Sequence, residues 1–137
     1  MKYFFFLFIF IAIQNSCVKK TPEIYYQMGE DEMLKTNSYV AINYFTKAIR
    51  EKHDYKEAYQ QRASVYLVLD SIDATIRDYD TLLVLTKGDQ QKQGYLHYLK
   101  GNALYLNSAD SSACSEWRKS RDLNYLGAWN KIRSNCK

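Results

Sequence analysis

Between residues 22 and 122 small, aromatic and polar positions recur with a helical period, and the same arrangement returns three times. AINYFTKAI (41–49), TIRDYDTLL (75–83) and ACSEWRKSR (113–121) each open on a small residue with a ring four positions later: Ala41/Phe45, Thr75/Tyr79 and Ala113/Trp117. Upstream, YYQMGEDEM (25–33), YQQRASVY (59–66) and HYLKGNALY (97–105) put a large ring four residues before a small one: Tyr25/Gly29, Tyr59/Ala63 and His97/Gly101. Residues four apart share a helix face, so every segment predicts a helix. The small residue lets a neighbouring helix come close, and the ring beside it fills the edge of that approach. Each unit is therefore expected to be two antiparallel helices joined at NS (37–38), DS (70–71) or NSAD (107–110). The Ser, Asn and Asp of those turns are expected to cap the helix starts that follow.

The first step between units runs from Gly29 to Ala63 and from Phe45 to Tyr79. The second, from Ala63 to Gly101 and from Tyr79 to Trp117, is longer by four positions. KGDQQKQG (87–94), the most polar stretch, is the expected loop that absorbs the extra length. After the third unit, NYLGAWNKIRSNCK places Leu126, Trp129, Ile132 and Cys136 at helical spacing. A terminal helix there covers the open face of the last pair, which a stacked array needs in order to stay soluble.

These segments resemble tetratricopeptide repeats, whose period is about 34 residues and whose pattern runs ring, Gly, Tyr, Ala, Phe. The first repeat matches at Tyr25, Met28, Gly29, Ala41, Phe45 and Ala48, the second at Tyr59, Ala63, Tyr66 and Tyr79, the third at Gly101, Leu104, Ala113 and Trp117. Leu82 and Ser120 stand where the family favours Ala, Thr75 where the first small residue is expected, and no proline closes a second helix. The resemblance implies an all-α, right-handed α-solenoid: repeats at about 22–54, 55–88 and 93–124, then a capping helix at about 125–135, within a domain of 23–136. It also implies a concave groove lined by the first helix of each pair. By repeat position the groove-facing residues are Tyr26, Glu30 and Met33, then Gln60, Ser64 and Leu67, then Tyr98, Asn102 and Tyr105. One subtype grips a partner's C-terminal carboxylate with Lys and Asn. Only Asn102 resembles that set, so the clamp is not expected.

The N-terminus changes the setting. One early lysine is followed by eleven apolar residues, Tyr3 to Ile13. As a helix they would rise about 16 Å, half of a bilayer core, which suits a signal peptide and not a membrane span. The run ends at IQNSCVKK, where Ser16 before Cys17 is the small residue of a lipoprotein cleavage site and Gln14 departs from its aliphatic position. The expectation is a signal peptide over 1–16, lipid on Cys17 and a tether over 17–22, with ordinary secretory cleavage as the rival. Several acyl chains anchor stably, since each buried CH₂ contributes about 0.8 kcal/mol. With Cys17 acylated, Cys114 and Cys136 remain as an even pair. They are either a disulfide closing a loop of about 20 residues, worth about 3 kcal/mol in an oxidising compartment, or two small buried thiols.

Composition narrows the function. One Pro and five Gly among 137 residues argue for helices over a turn-dense β protein. A net charge of +4, spread along the chain, is too weak to imply nucleic acid. The basic set Arg118, Lys119, Arg121, Lys131, Arg133 and Lys137 reads as a solvated face. Neither histidine sits in a catalytic motif: His53 falls at a helix C-terminus, and His97 occupies a ring slot that packing explains. No zinc, phosphate-loop or CxxC pattern occurs, and DSIDATIRDYD (70–80) lacks the Gly and final Glu of a calcium loop. No cofactor, metal, nucleic acid or small-molecule substrate is expected, and no enzyme. The expected role is a membrane-anchored envelope lipoprotein that binds a peptide or helix of another envelope protein. The alternative is a structural subunit of a larger envelope assembly without a free groove.

Overall fold

Thr21 starts the first helix: its hydroxyl accepts the amide of Ile24, while Pro22 occupies the first turn, where no amide partner is needed. The computed structural model describes residues 20–137. Six further helices follow this one, giving α1 (Pro22–Leu34), α2 (Ser38–Glu51), α3 (Lys56–Val68), α4 (Ile72–Leu85), α5 (Gln90–Leu106), α6 (Asp110–Asp122) and α7 (Gly127–Asn135). No strand occurs among the described residues. Each helix packs on the one before and the one after, so the pairs α1/α2, α3/α4 and α5/α6 stack in sequence and α7 closes the array. This is an α-solenoid. The expected signal peptide over 1–16, the expected lipidation position Cys17 and residues 18–19 of the expected tether lie outside the described residues.

Within a pair, the small residue of the first helix lies under the ring of the second. A Cβ on Gly29 would come within 2.6 Å of Phe45, and one on Gly101 within 2.5 Å of Trp117. Only glycine allows these rings so close to the backbone. Phe45 and Trp117 are fully buried, as are Ala41, Ala63 and Ala113. The departures from the repeat pattern are accommodated locally. Thr75 and Ser120 are buried polar residues whose hydroxyls donate to Ala63 O and Gly94 O, at 3.4 and 2.6 Å. Both partners are carbonyls of the first helix of the same pair, so the polar groups are satisfied.

Three expectations are corrected. The turns at 37–38, 70–71 and 107–110 do not cap the following helices through side chains, because α2, α4 and α6 have no side-chain cap. They finish the preceding helix instead. Thr36, Asp70 and Ser108 have φ of 62°, 55° and 56°, and the amides of Asn37, Ser71 and Ala109 donate back to the carbonyls of Glu32, Tyr66 and Leu104. That is the left-handed closure that satisfies orphan carbonyls at a helix end. The stretch 87–94 is also not all loop: Gln90 onwards belongs to α5, with Asp89 accepting the amide of Lys92. The extra length adds one helical turn, so α5 has 17 residues where α1 and α3 have 13. Lastly, His97 does more than pack, because its Nδ1 is hydrogen-bonded to the Glu116 carboxylate.

At the C-terminus a disulfide joins Cys114 of α6 to Cys136, which follows α7, with Cα atoms 5.6 Å apart. Ala128 of α7 is fully buried against the same cluster as Trp117 and Cys114.

Candidate protein-binding groove

The first helices α1, α3 and α5 carry the nine residues assigned to a groove, and the structure uses them unequally. Tyr26 stacks between Phe45 and Tyr55, at ring separations of 5.7 and 5.3 Å. Its hydroxyl donates to Glu30 at 2.9 Å and accepts from Gln61 at 3.4 Å, which ties α1 to α3. Burial and the Glu30 carboxylate push the Tyr26 hydroxyl above its ordinary pKa, while the Gln61 bond pulls it back in part. Met33 and Leu67 pack mainly onto the core clusters around Phe45 and Tyr79. Gln60 is exposed and accepts the Ser64 hydroxyl at its carbonyl.

In the third pair, Asn102 accepts the Trp117 indole N–H at 3.3 Å, and Tyr105 lies 5.6 Å from the same ring while remaining 41% exposed. Tyr98 packs on Tyr125 at 5.1 Å. The structure thus brings Tyr26 to Glu30, Gln60 to Ser64, and Asn102 to Tyr105 through Trp117. Met33 and Leu67 are partly buried against those clusters. Asn102 has its carbonyl engaged, which removes one reason to expect carboxylate gripping.

Residues one turn further towards each helix start were missed. Glu23, Glu57 and Tyr95 stand three residues before Tyr26, Gln60 and Tyr98, and i, i+3 pairs share a face. Extending each assignment by one turn would have found them. Between α3, α4 and α5 a cavity of about 240 Å³ opens beside Glu57 and Gln60, with Leu82, Leu96 and Tyr95 among its walls.

Behind the groove, two ion-pair arrangements hold the helices in place. Arg62 of α3 grips Asp78 of α4 with two bonds of 2.7 and 2.9 Å and donates to Thr46 of α2 at 2.9 Å. One repeat on, Lys100 of α5 meets Asp80 of α4 at 2.6 Å and Glu116 of α6 at 3.8 Å. Glu116 also accepts from Lys119 at 2.8 Å and from His97 Nδ1 at 2.6 Å. Burial alone would push the Glu116 carboxyl up, but the His97 and Lys119 hydrogen bonds and the charges of Lys100 and Lys119 outweigh it and bring it to about 2. It is ionised at neutral pH and can only accept, so His97 Nδ1 carries the proton. The sequence signal was a base and an acid at one fixed spacing, Arg62/Asp78 and again Lys100/Glu116, displaced by one repeat.

No group of three or more His, Cys, Asp or Glu that could hold a metal occurs among the described residues, and no described helix is long and apolar enough to cross a membrane. His97 and Glu116 are engaged with each other, and Glu116 with two lysines.

No family model matches the sequence, and no curated protein sequence matches it significantly. Solved structures do match in shape. The first tetratricopeptide domain of Spaghetti (RPAP3), bound to the HSP90 peptide SRMEEVD, is 17% identical over 82% of this chain and 88% of that one, at a TM-score of 0.68. The N-terminal domain of stress-induced protein-1 from C. elegans is 14% identical, covering 85% and 94% at a TM-score of 0.78. MamA is 20% identical over 76% of this chain and 58% of its own, at 0.68. The fold is that of a tetratricopeptide-repeat solenoid.

Proposed function

We propose that this chain is a lipid-anchored module of a bacterial cell envelope that binds a peptide or helix of another envelope protein in the groove of α1, α3 and α5. The observation that carries the reading is the arrangement of partly exposed rings and polar groups along those helices, Tyr26, Glu30, Gln60, Tyr98, Asn102 and Tyr105, on a scaffold with no assembled catalytic set among the described residues. Tyrosines suit such a surface, because each offers a large apolar body and a polar tip at low entropic cost. The similar RPAP3 domain holds a peptide, which supports the same use here. Export and anchoring rest on the apolar run before Ser16–Cys17.

Photo-crosslinkers placed at Tyr98 and Tyr105 in cells are expected to capture a protein that the same probes at Arg77 and Arg118, on second helices, do not. Equal capture from both faces would sink the groove. For the anchor, Cys17→Ala is expected to release the protein from the membrane fraction, and retention would count against lipidation.

A second reading, a structural subunit of a larger assembly, has its own support. Leu34, Val68 and Leu106 occupy the same position in each repeat, at the C-terminal end of α1, α3 and α5, and are 86%, 80% and 63% exposed. A repeated apolar row along the edge of the solenoid is what a large packed interface would cover. Capture from probes at Val68, and none from Tyr98, would favour it.

A further inference from the structure

We propose that the open end of the solenoid, the outer face of α1 and α2, rests on the surface of a phospholipid bilayer. This builds on the reading of Cys17 as an acylation site and adds which face meets the lipid.

Repeat position identifies the face. Ala58 of α3 is buried in a cluster with Ala48 and Ile49 of α2, and Val65 in one with Ala41 and Phe45. Leu96 and Ala103 of α5 are buried in the same way with Tyr79 and Leu82 of α4. These are the positions that a repeat turns towards the one before it. In the first repeat they are Ile24 and Asp31, and both are exposed, Ile24 at 42%. Met28 stands where Arg62 and Lys100 do, and Tyr44 where Asp78 and Glu116 are buried, and both are only partly covered. Val40, one turn before Tyr44, is 44% exposed. The other end of the array, by contrast, is closed by α7 and its disulfide.

A further repeat, or a second copy of this chain, fits the face poorly. Where repeats do stack, Arg62 donates to Thr46 and Lys100 to Asp80, each on the second helix of the preceding repeat. Met28 carries no such donor, and a close-packed helix would take Asp31 out of water. A headgroup layer meets neither obstacle. It leaves Asp31 wet, takes up Ile24, Met28 and Val40, and receives tyrosine rings at the boundary where such rings collect. Lys47 lies 5.9 and 5.2 Å over the Tyr25 and Tyr44 rings, and Lys20 reaches Met28 Sδ at 3.4 Å. Two ammonium groups thus stand beside the apolar residues, at the level where lipid phosphates meet them. The chain also leads from this face to the anchor. Lys20 lies against Met28, and Cys17 stands three residues earlier, a reach of at most about 10 Å. An acylated Cys17 therefore holds this end at the bilayer, with the later repeats and α7 stacked behind it.

The test uses the full chain expressed in a bacterial host and reconstituted in phosphatidylethanolamine–phosphatidylglycerol vesicles that contain a spin-labelled lipid. A fluorophore is attached to a cysteine introduced by Ile24→Cys, by Val40→Cys or, as a control on α6, by Arg118→Cys. Fluorescence from the first two positions is expected to be quenched at least threefold more than from the third, and equally so at one protein per vesicle. Combining Met28→Glu with Tyr44→Glu should abolish that difference while the protein stays in the membrane fraction. Equal quenching at all three positions, or quenching that the double variant leaves unchanged, would overturn the proposal. So would a signal that vanishes on dilution to one protein per vesicle, which would put a second copy on the face. Mass spectrometry of the same protein reads the anchor separately. An acylated Cys17 with an unquenched probe at Ile24 keeps the anchor and removes the face, whereas an unacylated chain removes both.

Discussion

The first and third repeats bury the same pair of groups, a glycine on one helix under a ring on the next, yet different forces surround that pair. In the third repeat Trp117 sits beside Glu116, whose carboxylate is shared by His97, Lys119 and Lys100, and the disulfide ties α7 to α6. In the first repeat the positions corresponding to Arg62 and Asp78 are Met28 and Tyr44, and the charge nearby is Lys47, 5.2 Å over the Tyr44 ring. The solenoid demands the shape of the small–ring contact and leaves the electrostatics around it free to vary. The C-terminal half therefore adds a shared carboxylate and a disulfide to that contact, while the charge beside the first-repeat contact is a lysine over a ring.

The shape requirement is the first thing to break. Trp117→Ala and Phe45→Ala should each cost about 4 kcal/mol in urea unfolding, the loss of a buried ring plus its cavity. A cost below about 1 kcal/mol for Phe45 would mean that packing does not hold the first repeat. The ion pairs come next. Asp78→Ala leaves Arg62 buried without its carboxylate and should cost about 3 kcal/mol, whereas Tyr44→Ala at the corresponding place should cost clearly less.

The same contrast predicts a pH dependence. The Glu116 carboxyl has a lower pKa in the folded chain, about 2, than its ordinary 4.5. Its contribution to stability is fully present above about 4.5 and is lost as pH falls towards 2. Replacing Glu116 by Gln should flatten the slope of stability against pH in that window, read by thermal unfolding, and an unchanged slope would place the effect elsewhere. The disulfide follows. Replacing Cys114 and Cys136 by Ser should cost about 2–3 kcal/mol and speed amide exchange in α7 first, leaving α1 to α4 as before. The smallest effect is a gain. Thr36 is a β-branched residue at φ 62°, and Thr36→Gly should stabilise by about 0.5 kcal/mol by relieving that left-handed strain.

How much of this was legible depended on the range of the contact. Phe45, Tyr79 and Trp117 were readable as core because each stands four positions after a small residue on its own helix and recurs once per repeat. Repeat position places Met33, Leu67 and Tyr105 alike, but only tertiary packing decided that Met33 and Leu67 rest partly buried on core clusters while Tyr105 stays exposed. Glu23, Glu57 and Tyr95 were passed over because each assignment stopped one turn short. His97 looked like a packed ring because Glu116, its partner, is far along the chain on another helix.

Sequence alone determined the helical pairs and their stacking. Rings and small residues four positions apart impose a face on each helix, and the repeat imposes that face again in every unit. Sequence also placed Cys17 after an apolar run too short to span a bilayer. Only the tertiary structure decided that the turns end helices through Thr36, Asp70 and Ser108 instead of starting them, and that the extra length between repeats became a turn of α5. It alone decided that Asp78 and Glu116 are each met by a base from the first helix of the same pair. Those outcomes depend on groups from different helices meeting in space, and the strength of a charge or a hydrogen bond is set by that meeting and by the water it excludes.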